Sequence, residues 1–362
     1  MTSAVSGLML VTVAGIANAT FALPMKFARE WAWENIWLAW TLCALVLLPI
    51  ATAVASIPSL GAVYRDAGAH AIAIVTLCGA GWGLAQVLFG LSIDAIGIGL
   101  TFSIVLGISA AVGSLIPLLR LHHVVEGRLM AGPILPGLVL VLAGVGVCAS
   151  AGRMREKAQG GTEHHKSFAV GVAMALCSGV CAAAMNFGVA FGEPILRSAA
   201  DHGASAQQVV NAVWLPLLMA GAVPNIAYCV YLLTRRCSWG NYRIQQTPAY
   251  IGLAVVMAIL WFFSTALYGV ATTQLGELGV VVGWPVFMSL IVVTAGILGM
   301  LTGEWKYSGA RPVALQMVGM LLLVLAVVTL SRAQKHADAI SALQSKHSST
   351  FEISIHQEEA MQ

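Results

Sequence analysis

Apolar residues come in runs of about 20, the length that crosses a hydrocarbon core at about 1.5 Å of rise per residue, and polar residues gather in the short gaps between them. These runs predict ten helices, at 4–24, 36–57, 70–92, 95–118, 132–150, 167–191, 209–234, 248–270, 277–300 and 311–331. The third and fourth meet within a residue or two of Asp94, which demands an antiparallel hairpin inside the bilayer. The longest internal gap, AGRMREKAQGGTEHHK at 151–166, is polar and basic and leaves five predicted helices on either side. The chain is thus expected to comprise a first five-helix repeat (1–150), a basic inter-repeat loop (151–166), a second five-helix repeat (167–331) and a polar tail (332–362) whose composition predicts disorder.

Two echoes support the division. Gly7 and Gly15 in the first helix recur at the same spacing as Gly171 and Gly179 in the sixth, and Glu126 and Glu304 follow the fourth and ninth helices, each leading into a glycine-bearing span. Five is odd, so the second half enters the membrane from the opposite face. The expected fold is an all-α polytopic membrane protein, ten transmembrane helices arranged as a 5+5 inverted repeat, an architecture that rocks around a midplane site.

Composition narrows the function. Of 362 residues 59% are hydrophobic and 9% charged, too few charges to cover a soluble surface. The net charge of +3 is spread over short loops and offers no nucleic-acid face. Loops after the odd-numbered helices carry 11 of the 18 Lys and Arg residues, which orients the inter-repeat loop towards the cytoplasm and both termini outward. The first run lacks a basic segment before it and an A-x-A-like end, so it reads as a retained helix, not a cleaved signal. The seven cysteines lie mostly in apolar runs without paired spacing and read as packing residues; even Cys177 and Cys181, which share a helix face, have no His or acid nearby. His122–His123 and His164–His165 sit in loops, and no G-x-S-x-G, H-E-x-x-H or P-loop occurs. Neither an enzyme nor a metal or other cofactor is expected.

What remains is polarity inside apolar spans: Asn18, Gln86, Asn186, Asn211, Asn225, Ser264 and Thr265. An amide in hydrocarbon must be bonded, so each faces another helix or a wet cavity; packing between helices serves as well as substrate contact for any one of them. Trp82, Trp261, Tyr268 and Trp284 lie deeper than an interfacial belt requires. Rings that stack on C–H faces beside amides that meet hydroxyls suit a sugar. One central cavity between the halves is therefore expected, lined by Asn18, Trp82, Gln86, Asn186, Trp261, Ser264, Tyr268 and Trp284.

Charges crowd the first loop, where Lys26, Arg29, Glu30 and Glu34 stand beside Trp31, Trp33 and Trp37. They make either an interface girdle or a gate, with Lys26 and Glu34 as the gate candidates. Proton coupling needs a carboxyl whose pKa is raised by burial away from cations. Asp94 lies in a tight turn, Glu193 beside Pro194, and Glu126 and Glu304 next to Arg128 and Lys306, which should hold them ionised. Glu277 precedes the ninth helix far in sequence from any Lys or Arg and is the coupling candidate, although an acid favoured by the helix dipole explains it equally well.

The run LPMKFAREWAWENIW at 23–37 strongly resembles the L-rhamnose–proton symporter family of the drug/metabolite transporter superfamily, through Pro24, Lys26, Trp31, Trp33, Glu34 and Trp37. Further matches are Gly79 to Gly83 with Trp82, Gly90, the glycine-rich fourth helix, Trp261 with Tyr268, Trp284, and Glu304, Trp305, Arg311 and Pro312, spanning all but the tail. The resemblance implies a multi-pass protein of a bacterial inner membrane that imports a deoxyhexose, L-rhamnose or a relative, with protons. Gln86 stands where the family resembled has a shorter amide and Ser264 where it has a glutamine, so the sugar stays open. An exporter of metabolites or drugs from the same superfamily, or a sensor that keeps the fold without transporting, are the other readings. The expected partners are a small sugar, protons and lipid, with no nucleic acid; the sequence does not give the oligomeric state.

Overall fold

The computed structural model describes residues 3–120, 124–158, 168–276 and 279–333, and these are helical with no strand among them. Ten of the described helices are long and apolar enough to cross a membrane: Val5–Phe27, Trp33–Ser56, Ala69–Ile93, Leu100–Leu118, Ile134–Ala158, Phe168–Asp201, Asn211–Arg235, Thr247–Gln274, Gly279–Leu301 and Ala310–Ala333, here spans 1 to 10. Large exposed apolar side chains such as Leu77, Val139, Val223, Ile259 and Leu321 stand around the outside, as lipid-facing surface requires.

Glycine sets how closely the spans approach. A Cβ on Gly79 would lie 2.0 Å from the Leu217 carbonyl oxygen and one on Gly83 2.3 Å from that of Gly221, so span 3 touches span 7 backbone to backbone. The glycines repeated in the sequence pack across the halves. Gly7 and Gly15 of span 1 face Leu275, at the end of span 8, and Leu290 of span 9, while Gly171 and Gly179 of span 6 face Ile96, at the end of span 3, and Ile108 of span 4. Each first helix of five thus lies against the third and fourth helices of the other five.

Several local features escape a reading based on hydrophobic runs. The helix of span 5 continues through 151–158, into the stretch expected as loop, because Arg153, Met154, Arg155, Glu156, Lys157 and Ala158 are good helix formers and the cations suit its C-terminal end. The rest of that loop and the tail from 334 lie outside the described residues. Spans 3 and 4 join at Gly97, whose φ of 82° reverses the chain without the strain a side chain would add. Span 2 widens into a π-turn at Leu42–Leu47, with the Leu48 N–H donating to Cys43 O; Pro49, which has no N–H to continue the regular ladder, follows at once. On the face away from the inter-repeat loop, the short helices Leu60–Ala67 and Glu193–Asp201 pack together, and Ser198 Oγ donates to Val63 O at 2.9 Å.

Candidate functional site

Span 8 organises the interior. Trp261, Ser264, Thr265 and Tyr268 recur at helical spacing on one buried face, so their side chains project into the bundle in two layers. In the first layer the Trp261 ring stacks on Trp82 of span 3, with centroids 5.5 Å apart and planes at 29°. Asn18 Nδ2 of span 1 donates to Ser264 Oγ at 2.9 Å, and Ser264 Oγ in turn donates to Trp261 O at 2.8 Å. Gln86 lies one helical turn beyond Trp82, half-buried and without a hydrogen bond among the described residues.

The second layer is built on Asn186 of span 6, fully buried. Its Nδ2 donates to Gly113 O of span 4 at 2.8 Å and to Val280 O of span 9 at 2.9 Å, and its Oδ1 accepts from the Tyr268 hydroxyl. Gly113 O has no ordinary helical partner, because the residue four positions on is Pro117. The asparagine fills that vacancy. Trp284 meets Tyr268 edge-on at 5.5 Å and donates through Nε1 to Ser109 O at 3.0 Å, and Phe287 stacks on the other side of Tyr268 at 4.9 Å. Of the eight residues expected to line a site, Trp82, Asn186, Trp261, Ser264, Tyr268 and Trp284 are buried and Asn18 and Gln86 half-buried, divided between these layers. Glu277 lies outside the described residues, as do the side chains of Asp94 and Glu126.

The charges of the first loop sort into two networks. Glu34 is fully buried, accepting from Ser238 Oγ at 2.7 Å and from Arg236 Nη1 at 3.0 Å. The neighbouring Asn35 fixes the same junction, its Nδ2 donating to Ser238 O at 3.0 Å, while Trp31 Nε1 donates to Asn241 O at 2.9 Å. The tryptophan-rich element therefore sews the start of span 2 to the loop after span 7. Lys26 instead reaches Glu304, Nζ to Oε1 at 2.7 Å, and Arg155 holds the other oxygen at 3.0 Å while lying 5.0 Å over the Trp305 ring.

The hydrogen bond from Lys26 holds the Glu304 carboxyl below its ordinary range; partial burial opposes this, and the charges of Lys26 and Arg155 add to it. The sequence pointed to Lys306 as the ionising neighbour. Residues two apart diverge, and the Lys306 ammonium lies 5.9 Å from the Tyr307 ring centroid instead. Glu193, also weighed for coupling, pairs with Arg197 one turn on. Arg155, Arg236 and Trp40 were missed, the last packed 5.4 Å from Trp261. Only Trp40 carried a usable signal, its place at helical spacing after Trp33 and Trp37.

A family model described as L-rhamnose-proton symport protein (RhaT) matches residues 1–334. The chain is 28% identical over 327 residues to the L-rhamnose-proton symporter of Mannheimia succiniciproducens, covering 87% of this chain and 93% of that protein. Proteins of the same name from Cronobacter sakazakii (26% over 328 residues, 88% and 95%) and Escherichia coli (25% over 325 residues, 87% and 93%) are similar in extent. Ten apolar spans and relatives of this kind place the protein in a bacterial inner membrane as a multi-pass transporter. It belongs to the L-rhamnose-proton symport protein family.

Proposed function

We propose that this protein imports L-rhamnose or a related deoxyhexose together with protons, by rocking two inverted five-helix halves around the two-layered aromatic and amide site. The observation that carries the reading is that one polar bond in each layer crosses between halves: Asn18 to Ser264 in the first, Asn186 to Gly113 in the second. Such bonds would break and reform as the halves move. The ring faces of Trp82, Trp261, Tyr268 and Trp284 would take the apolar side of the sugar and Asn18, Gln86, Asn186 and Ser264 its hydroxyls. The names of the relatives support the substrate and the coupling ion.

Gating belongs to the face bearing the inter-repeat loop, which we assign to the cytoplasm from its lysines and arginines. There the Glu34–Arg236 and Lys26–Glu304–Arg155 pairs tie spans 2 and 7, and spans 1, 5 and 9. They would part when the site opens on that side. Glu277, two residues before span 9 in sequence, is the coupling carboxyl in this reading. The direct test is uptake of labelled L-rhamnose by the purified protein in liposomes under an imposed pH gradient, acid outside. Accumulation that collapses with a protonophore is expected. Uptake that is indifferent to the gradient, or absent for every deoxyhexose offered, would refute the proposal.

A further inference from the structure

Three tryptophans on or near the proposed gate and site find acceptors for their indole N–H groups. Trp31 donates to Asn241 O, Trp37 to Asn225 Oδ1 at 3.2 Å and Trp284 to Ser109 O. Trp40 is 1% exposed, and its Nε1 has no partner among the described residues. A buried donor left unpaired costs about 1–3 kcal/mol, so its persistence beside a proposed ligand site calls for a reason.

Its surroundings supply one. Trp40 sits where the aromatic rings converge: Trp37 at 4.5 Å, Phe21 at 5.6 Å, and Trp261 edge-on at 5.4 Å and 84°. Trp261 is the ring stacked on Trp82, and Phe21 lies one helical turn from Asn18. The next residue, Thr41, has a buried hydroxyl that is also unpaired, and the π-turn of span 2 begins directly after it at Leu42. Irregular turns of this kind concentrate at functional sites, where the helix can shift register without unfolding. Trp214 Nε1 is likewise unpaired, but a Cβ on Gly269 would come within 2.8 Å of it, so span 8 seals that nitrogen from any ligand.

We propose that Trp40 is a sugar-binding residue, its indole N–H donating to a hydroxyl of the bound deoxyhexose while the Trp261–Trp82 stack takes the apolar face. The inference rests on the sugar-import reading and adds to it a specificity contact from span 2. The donor meets no acceptor among the described residues, so a hydrogen bond formed with the sugar replaces none there.

Calorimetric titration of the purified protein with L-rhamnose and its mono-deoxy analogues tests it. Trp40→Phe keeps a ring in place and removes the donor, and should weaken L-rhamnose binding about tenfold, the worth of one buried hydrogen bond. Without sugar the variant should melt somewhat lower than the parent protein, because the smaller ring leaves a cavity, so the specific contact is read from the analogues and not from melting. One mono-deoxy analogue should bind the parent protein as weakly as L-rhamnose binds Trp40→Phe, and lose nothing further on the variant. Binding within about twofold of the parent, or an equal further loss on every analogue, would overturn the assignment. If the unmodified protein binds no deoxyhexose, the import reading falls and the assignment with it.

Discussion

Asn186→Leu probes the second layer of the candidate site, since it keeps the helix and a side chain of similar length while deleting every polar atom. Three hydrogen bonds disappear: two donated, to Gly113 O and Val280 O, and one accepted from Tyr268. Two groups are then stranded. Gly113 O loses the donor that substitutes for the missing N–H of Pro117, and the Tyr268 hydroxyl, on a residue 1% exposed, has nowhere to turn. A stranded buried group costs about 1–3 kcal/mol, more than the roughly 0.6 kcal/mol of an average bond between transmembrane helices, so the two together should cost about 2–6 kcal/mol. At roughly 2–4 °C per kcal/mol this lowers the melting midpoint by at least about 4 °C. Tyr268→Phe alone removes one bond and leaves the two carbonyl contacts, and should lower the midpoint by about a third as much. In the Asn186→Leu background the same change should cost nothing, since the hydroxyl is already unpaired. Thermal unfolding of the four proteins in detergent closes this double-mutant cycle. Strict additivity, or an Asn186→Leu midpoint within about 1 °C of the parent protein, would refute the account of how spans 4, 6, 8 and 9 are tied.

Gly79→Val should abolish a monodisperse, folded protein, because its Cβ meets the Leu217 carbonyl at 2.0 Å; Gly90→Ala, with nothing within 4 Å, should leave size-exclusion profiles unchanged. Glu304 has a depressed folded pKa, so its pairs stabilise above the ordinary carboxylate range and the contribution is lost as pH falls through the folded value. The difference in melting between parent and Glu304→Gln should accordingly be present at neutral pH and vanish in acid; a difference that grows in acid would contradict the pairing. Glu34→Gln keeps a partner for Ser238 but discharges the pair with Arg236, and should alter both the transport rate and its pH profile; unaltered transport excludes the gate. Glu277→Gln should abolish proton-driven accumulation and spare counterflow exchange, and accumulation at the parent level excludes its coupling role.

The spans were legible because hydrocarbon imposes one requirement on every crossing segment, a run of apolar residues whose backbone bonds close internally. Gly97 and the extension of span 5 to Ala158 show where that rule stops: the tight hairpin was expected but three residues early, at Asp94, and a polar helix outside the apolar run leaves no trace in hydrophobicity. The buried polar and aromatic cluster of the candidate site was legible at the level of residue type. Asn186 and Trp261 stood out because each is expensive to place in apolar surroundings, but their division into two layers depends on partners far along the chain. Asn18 and Ser264 are separated by 246 positions, and no local spacing encodes that contact.

Ion pairs were the least legible, for a related reason. Charge attracts through space, and the sequence supplies only the nearest neighbours along the chain, so Lys306 suggested itself for Glu304 while Lys26 and Arg155, 278 and 149 positions away, do the pairing. The same geometry explains why Lys26 and Glu34, close in sequence and opposite in charge, ignore each other. The turns at Leu23–Phe27 and Ala28–Ala32 send Lys26 out to an exposed pair with Glu304, whereas Glu34 enters the helix of span 2 facing the loop at 236–238. An exposed pair is worth little and a buried carboxylate without its partner costs several kcal/mol. Of the two networks, the one at Glu34 therefore has the larger energy to release or demand if the halves part there as proposed.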